Sequence, residues 1–175
     1  MGAMVMAVKC HFFLFMVYFF LAVTALVSLH ASALESLPEI YFYDKLNRRV
    51  TLHDFKGEAV LVNLWATWCP PCIAELPVLA ALQETFSEKK FRVIALSLDT
   101  LPPEEIEVFL KKNKAESMAV YHDKDRQVPL KWSYKGLPTS YLLDAEGKLI
   151  ARYEGPREWA ADKAVLDAIR ASLPQ

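Results

Sequence analysis

Trp65-Ala66-Thr67-Trp68-Cys69-Pro70-Pro71-Cys72-Ile73-Ala74-Glu75-Leu76-Pro77 is the stretch around which the rest of the chain is arranged. The apolar run Ala59 to Ala66 leads into it, and Leu76, Leu79, Leu82 and Phe86 continue beyond it at helical spacing to about Ser87. A buried strand opening into a helix puts Cys69 in the turn and Cys72 in the first helical turn. A thiolate there meets unpartnered backbone N–H groups and the positive end of the helix dipole. A free thiol with a pKa of about 8.5 is only slightly ionised at neutral pH, and such surroundings lower that value, each unit being worth roughly 1.4 kcal/mol. The residues point to a reactive dithiol. Pro77, which lacks a backbone donor, is expected to bend the helix.

The chain has 175 residues, 54% of them hydrophobic, and a formal net charge of -1. That suits one domain with a substantial core and gives no concentrated basic face for nucleic acid. Phe12 to Leu29 carries no charge and is long enough to cross a bilayer, and Ala31-Ser32-Ala33 follows with the small-x-small pattern of a cleavage site. Two readings stay open for residues 1–33: a cleaved signal peptide, or an anchor held in the membrane through residues 12–29. Both place the domain from Leu34 to Gln175 outside the cytoplasmic membrane, in a periplasmic or equivalent compartment, because Lys9 lies on the amino-terminal side. Cys10 precedes the apolar run and reads as an inert passenger. The folded part therefore holds a single cysteine pair, which is not a disulfide framework.

Strands are expected at Glu39–Tyr43 and Arg48–Leu52, forming an N-terminal hairpin, then at Ala59–Ala66, Phe91–Leu98, Thr139–Leu143 and Lys148–Tyr153. Helices are expected from Cys69 to Ser87, from Pro103 to Lys112 and from Glu158 to Ser172, with Val165, Leu166, Ile169 and Leu173 on one side of the last. Met118–Tyr121 reads as a brief strand, and Asp123 to Lys135 as irregular with one helical turn near Val128–Trp132. With the brief strand set aside, the order after the hairpin is β-α-β-α-β-β-α. It predicts an α/β sandwich, a central mixed sheet with helices on both faces.

That order, with Trp68-Cys69-Pro70-Pro71-Cys72 at the first strand-to-helix junction and Gly136-Leu137-Pro138-Thr139 before the second hairpin, resembles the thioredoxin fold. More narrowly, Val62 to Pro77 is similar to the membrane-associated thiol–disulfide oxidoreductases of TlpA/ResA type, among them the cytochrome c maturation thioredoxins. The resemblance spans about Leu37 to Leu173. It implies an exported enzyme, working as a monomer without a bound cofactor or metal, that reduces disulfides in proteins such as an apocytochrome c or a copper-site assembly protein. A membrane donor would then return the electrons.

Cys69 is expected to attack and Cys72 to resolve the mixed disulfide. Glu75 shares a helical face with Cys72; its spacing alone fits a solvated glutamate, whereas the resemblance makes it the proton acceptor. Asn63 stands where cytoplasmic thioredoxins carry a buried aspartate, which moves acid–base work toward Glu75; read without the family it is a hydrogen-bonded core residue. The resemblance also implies a cis peptide bond at Pro138, presenting the Leu137 backbone to an extended substrate. Trp65 reads as core, and Trp68 as a partly exposed neighbour of the sulfur that touches the partner. A zinc site needs two further ligands, for which the folded part offers only His53 and His122. The competing class is a protein that binds Cu(I) through the same two thiolates. A peroxiredoxin expects threonine three residues before the reactive cysteine, where Ala66 stands.

Overall fold

The computed structural model describes residues 36–174, so the targeting segment, its cleavage pattern and the boundary after Ala33 lie outside it. Seven strands form one sheet in the order β2-β1-β5-β4-β3-β6-β7. They are β1 (Tyr41–Asp44), β2 (Arg49–Thr51), β3 (Ala59–Trp65), β4 (Phe91–Ser97), β5 (Tyr121–His122), β6 (Thr139–Leu143) and β7 (Leu149–Glu154). The helices are α1 (Pro70–Thr85), α2 (Pro103–Lys112), α3 (Gln127–Lys131) and α4 (Lys163–Ser172). Strands β3, β4 and β5 run parallel, while β6, β7, β1 and β2 make antiparallel pairs. This is the thioredoxin-like mixed sheet. No helix among the described residues is long and apolar enough to cross a membrane.

The two faces follow from strand alternation. Ala59, Leu61 and Trp65 of β3 point to one side, where Leu76 and Leu79 of α1, Ile106 and Leu110 of α2, and Val165 and Ile169 of α4 pack against them. Val60, Val62 and Leu64 point to the other, against Phe42, Phe55, Val128 and Trp132. The crossovers β3-α1-β4 and β4-α2-β5 advance in the same direction across the sheet, so right-handedness puts both helices on one face. Helices thus lie on both faces but unequally: among the described residues the second has only the one-turn α3, with chain from Ile40 and the short helical turn Leu52–Phe55 completing the cover.

Several boundaries move for local reasons. The brief strand expected at Met118–Tyr121 forms instead at Tyr121–His122, where it meets both Leu96–Ser97 of β4 and Tyr43–Asp44 of β1. The last helix begins five residues later than expected, because the Asp162 carboxylate caps it by accepting from the Ala164 and Val165 N–H groups. Helix α1 runs through Pro77 as one element.

Candidate active site

Buried strand β3 ends at Trp65, and a tight turn, closed by the Cys69 N–H donating to the Ala66 carbonyl at 3.1 Å, delivers the chain to Cys69. Cys69 is the N-cap of α1, followed by Pro70 and Pro71 at the first two helical positions and Cys72 at the third. The prolines carry no N–H, so two of the donors at this helix end are missing. The Ile73 N–H is taken by the Cys69 carbonyl at 3.1 Å, which leaves the Cys72 N–H and the dipole to favour a thiolate. Cys69 and Cys72 form a disulfide. Cys69 is 5% exposed and Cys72 is 0% exposed, which orders the two sulfurs as expected. Trp68 beside them is 68% exposed, more open than anticipated, whereas Trp65 is fully buried core.

The turn is held from β4. The Asp99 carboxylate accepts from the Thr67 N–H (2.9 Å), the Thr67 hydroxyl (2.8 Å) and the Ser97 hydroxyl (2.8 Å). Sequence reading missed this clamp; its signal is the Ser97-x-Asp99 pair at the carboxyl end of an apolar strand, where α/β sheets present polar groups. A groove of about 540 Å³ runs past the disulfide, lined by Trp68, Cys69, Pro70, Leu98, Tyr134 and Leu137 among others. The Leu137–Pro138 peptide bond is cis. Leu137 lines the groove; Pro138 is buried behind it, its carbonyl accepting from the Gly155 N–H at 2.9 Å.

Glu75 is buried, against the solvated placement that its spacing alone allowed. Alternation turns Asn63 of β3 toward the α1 face, and register places it level with Ser140 of β6, which is in turn level with Tyr153 of β7. The Asn63 amide donates to the Ser140 hydroxyl at 2.9 Å. This polar row crosses an otherwise apolar face beneath Glu75. Glu75 Oε1 accepts the Arg157 backbone N–H at 2.6 Å and the Trp159 indole N–H at 2.8 Å, while Oε2 is buried without a donor among the described residues. Burial pushes the Glu75 carboxyl above the usual carboxylate range; the Arg157 and Trp159 donors, the Asn63 amide and the Arg157 charge oppose that rise. Neither Arg157 nor Trp159 was named from sequence.

A raised carboxyl binds its proton more tightly folded than unfolded, so stability is full below the unfolded value of about 4.3 and falls as pH rises through the folded one. Glu75→Gln, which has no proton to lose, is therefore expected to gain stability relative to the parent chain as pH rises. Urea unfolding of the oxidised proteins from about pH 4 upward into the alkaline range measures it; curves that stay parallel throughout would refute the assignment.

The candidate metal ligands do not gather. His53 sits in the turn Leu52–Phe55, and His122 is buried on β5 with neither ring nitrogen hydrogen-bonded among the described residues; desolvation lowers its pKa. Among the described residues no three His, Cys, Asp or Glu side chains are grouped to hold a metal.

Comparison with known proteins places this geometry. The redoxin family profile matches residues 33–169. This chain belongs to the redoxin family. The redoxin is 33% identical over 121 residues to the thiol-disulfide oxidoreductase ResA of Bacillus thuringiensis subsp. konkukian, covering 67% of each chain. Its fold superposes on a Chlorobium tepidum protein assigned as thiol:disulfide interchange protein DsbE with a TM-score of 0.69 at 32% identity, covering 79% of this redoxin and 95% of that chain. The thioredoxin domain of a Bacteroides vulgatus thiol-disulfide oxidoreductase follows at TM-score 0.67 and 26% identity, covering 81% and 98%. This redoxin is a thiol–disulfide oxidoreductase of the ResA/DsbE type, with Cys69 and Cys72 as its redox pair.

Proposed function

We propose that this redoxin is exported, retained or released by its residues 1–33, and reduces disulfides in proteins outside the cytoplasmic membrane. The observation that carries the reading is the pair itself: a Cys69 sulfur at a helix N-cap, on a groove lined by Trp68 and Leu137. Cys69 attacks a substrate disulfide, and Cys72, buried behind it, resolves the adduct with Glu75 taking its proton. Leu137 and the cis bond to Pro138 give an extended substrate a wall to lie against, and Trp68 covers the outer side. The cycle uses no bound cofactor. An oxidising compartment would leave the pair as a disulfide, so a membrane donor must recharge it. Apocytochrome c with an oxidised C-x-x-C-H site is the leading substrate, ahead of a copper-site assembly protein.

The test is Cys72→Ser expressed in cells with the full chain, followed by identification of what stays disulfide-linked to Cys69. A discrete set of extracytoplasmic thiol proteins is expected. Recovery of nothing above background would overturn the protein-reductase reading, and stoichiometric copper in freshly purified protein with no insulin reduction would replace it with Cu(I) binding.

A further inference from the structure

One segment reaches both parts of the site from the far end of the chain. After β7 the backbone turns at Gly155, whose φ of +79° lies in the left-handed region, and then runs to Trp159 over the α1 face. Within five residues it makes three bonds into the site. The Gly155 N–H holds the Pro138 carbonyl, the Arg157 N–H holds Glu75 Oε1, and the Trp159 indole N–H holds the same Oε1. Trp159 is itself fixed. It is fully buried, and Tyr153 meets its ring edge-to-face with centroids 5.6 Å apart. The Arg157 side chain lies over the Tyr153 ring at 4.7 Å and pairs with Asp162 at 2.8 Å.

The distribution of donors is asymmetric. Two hydrogen bonds go to Oε1 and none is made to Oε2 among the described residues, although both oxygens are buried and the Asn63 amide lies near enough to the carboxylate to favour its charged form. An oxygen already accepting two hydrogen bonds is a poor place for a proton, whereas Oε2, which accepts none among the described residues, keeps a lone pair open. Cys72 lies three residues earlier on the same helix, one turn away and on the same side.

We propose that Trp159 is a positioning residue for the resolving step: with the Arg157 backbone it pins Glu75 through Oε1 and so reserves Oε2 to take the proton of Cys72. The proposal rests on Glu75 as the acceptor and adds which oxygen works and what holds it. In the step, the Cys72 Sγ–H bond breaks and its proton passes to Oε2. The Cys72 thiolate attacks Cys69 Sγ, the Cys69–Cys72 bond forms, and the bond from Cys69 to the substrate sulfur breaks. The electron pair leaves on that sulfur, which is protonated by water. Together with the first attack, two electrons have passed from the dithiol to the substrate disulfide.

Trp159→Phe keeps an aromatic ring against Tyr153 and removes the N–H. The readout is single-turnover release of the second substrate thiol, followed from acid to alkaline pH in the full-length reduced protein, in four forms: parent, W159F, E75Q and the double variant. Losing a hydrogen bond to a carboxylate makes its proton harder to remove, so the acidic limb moves to higher pH. On that limb the W159F rate is expected to fall about tenfold, while the alkaline plateau stays within about twofold of the parent. E75Q should abolish the limb, and W159F should cost nothing further in that background.

If W159F leaves the limb in place while E75Q removes it, Trp159 is structural and the proposal fails with Glu75 intact. A rise in KM alone has the same meaning, because it reports only the Pro138 wall. If E75Q leaves the limb in place, the Glu75 reading itself falls. Should W159F not fold, benzothienylalanine at position 159 replaces the N–H by sulfur in the same ring shape, and the same predictions apply to it.

Discussion

Serine at position 69 is expected to lower turnover of insulin or any protein disulfide by at least about three orders of magnitude, leaving the fold unchanged. The reason is access combined with chemistry. A substrate sulfur must be attacked in line by a thiolate, and a serine hydroxyl is not ionised at neutral pH. Cys72 cannot stand in, because it is the fully buried partner, enclosed with Leu76 and Leu79 on the α1 face. Cys72→Ser is expected to behave differently: one substrate thiol is released per enzyme, after which the adduct on Cys69 persists. Mass spectrometry after mixing with a disulfide peptide separates the two variants. An adduct on Cys72 in the Cys69→Ser protein would reverse the assignment of attacker and resolver.

The largest effect on stability is expected at Trp65. The ring is fully buried at the end of β3, with Phe109 of α2 packed at 5.9 Å between centroids. Truncation to alanine removes that contact and leaves a cavity, which costs about 3–5 kcal/mol, against a total of roughly 5–15 kcal/mol for a typical domain. Its indole nitrogen, however, is buried without an acceptor among the described residues. Trp65→Phe gives up packing but also removes a donor left without a bond, so it should cost markedly less than alanine. Urea titrations with unchanged slopes would measure both. Equal losses would refute that ordering. Because Trp65 stands four residues before Cys69, the alanine variant should also broaden the geometry of the turn that carries the sulfur.

Much of this was legible beforehand because its determinants are local. The strand-to-helix junction needs only the apolar run, the two prolines and the spacing of leucines, and α2 announces itself by Glu104 and Glu105 at one end and Lys111 and Lys112 at the other. What could not be read is what depends on partners far along the chain. The environment of Glu75 is decided by residues 82 and 84 positions later, so spacing alone fitted a solvated side chain and the family likeness had to argue otherwise. Asp99 meets Thr67 across 32 residues. Strand β5 is too short to carry a pattern and is defined by its two neighbours, which is why its expected position was off. The side of the sheet that α2 covers follows from handedness only once the strand order is known.

The hairpin β1–β2 has a meaning beyond extending the sheet. Without it, the two residues of β5 would form the border, their outward backbone groups open to any passing chain. With it, the border is the three-residue β2, guarded by Arg49, whose guanidinium lies over the Tyr41 ring at 4.4 Å. The opposite border, β7, turns Arg152 and Glu154 to solvent. Short, charged margins resist the adhesion of foreign strands. For an enzyme that, on the function proposed above, meets incompletely folded proteins, that is a safeguard. It keeps stray polypeptide from zipping onto the sheet's flanks and, in the proposed reaction, leaves the lip at residues 136–138 for the substrate backbone.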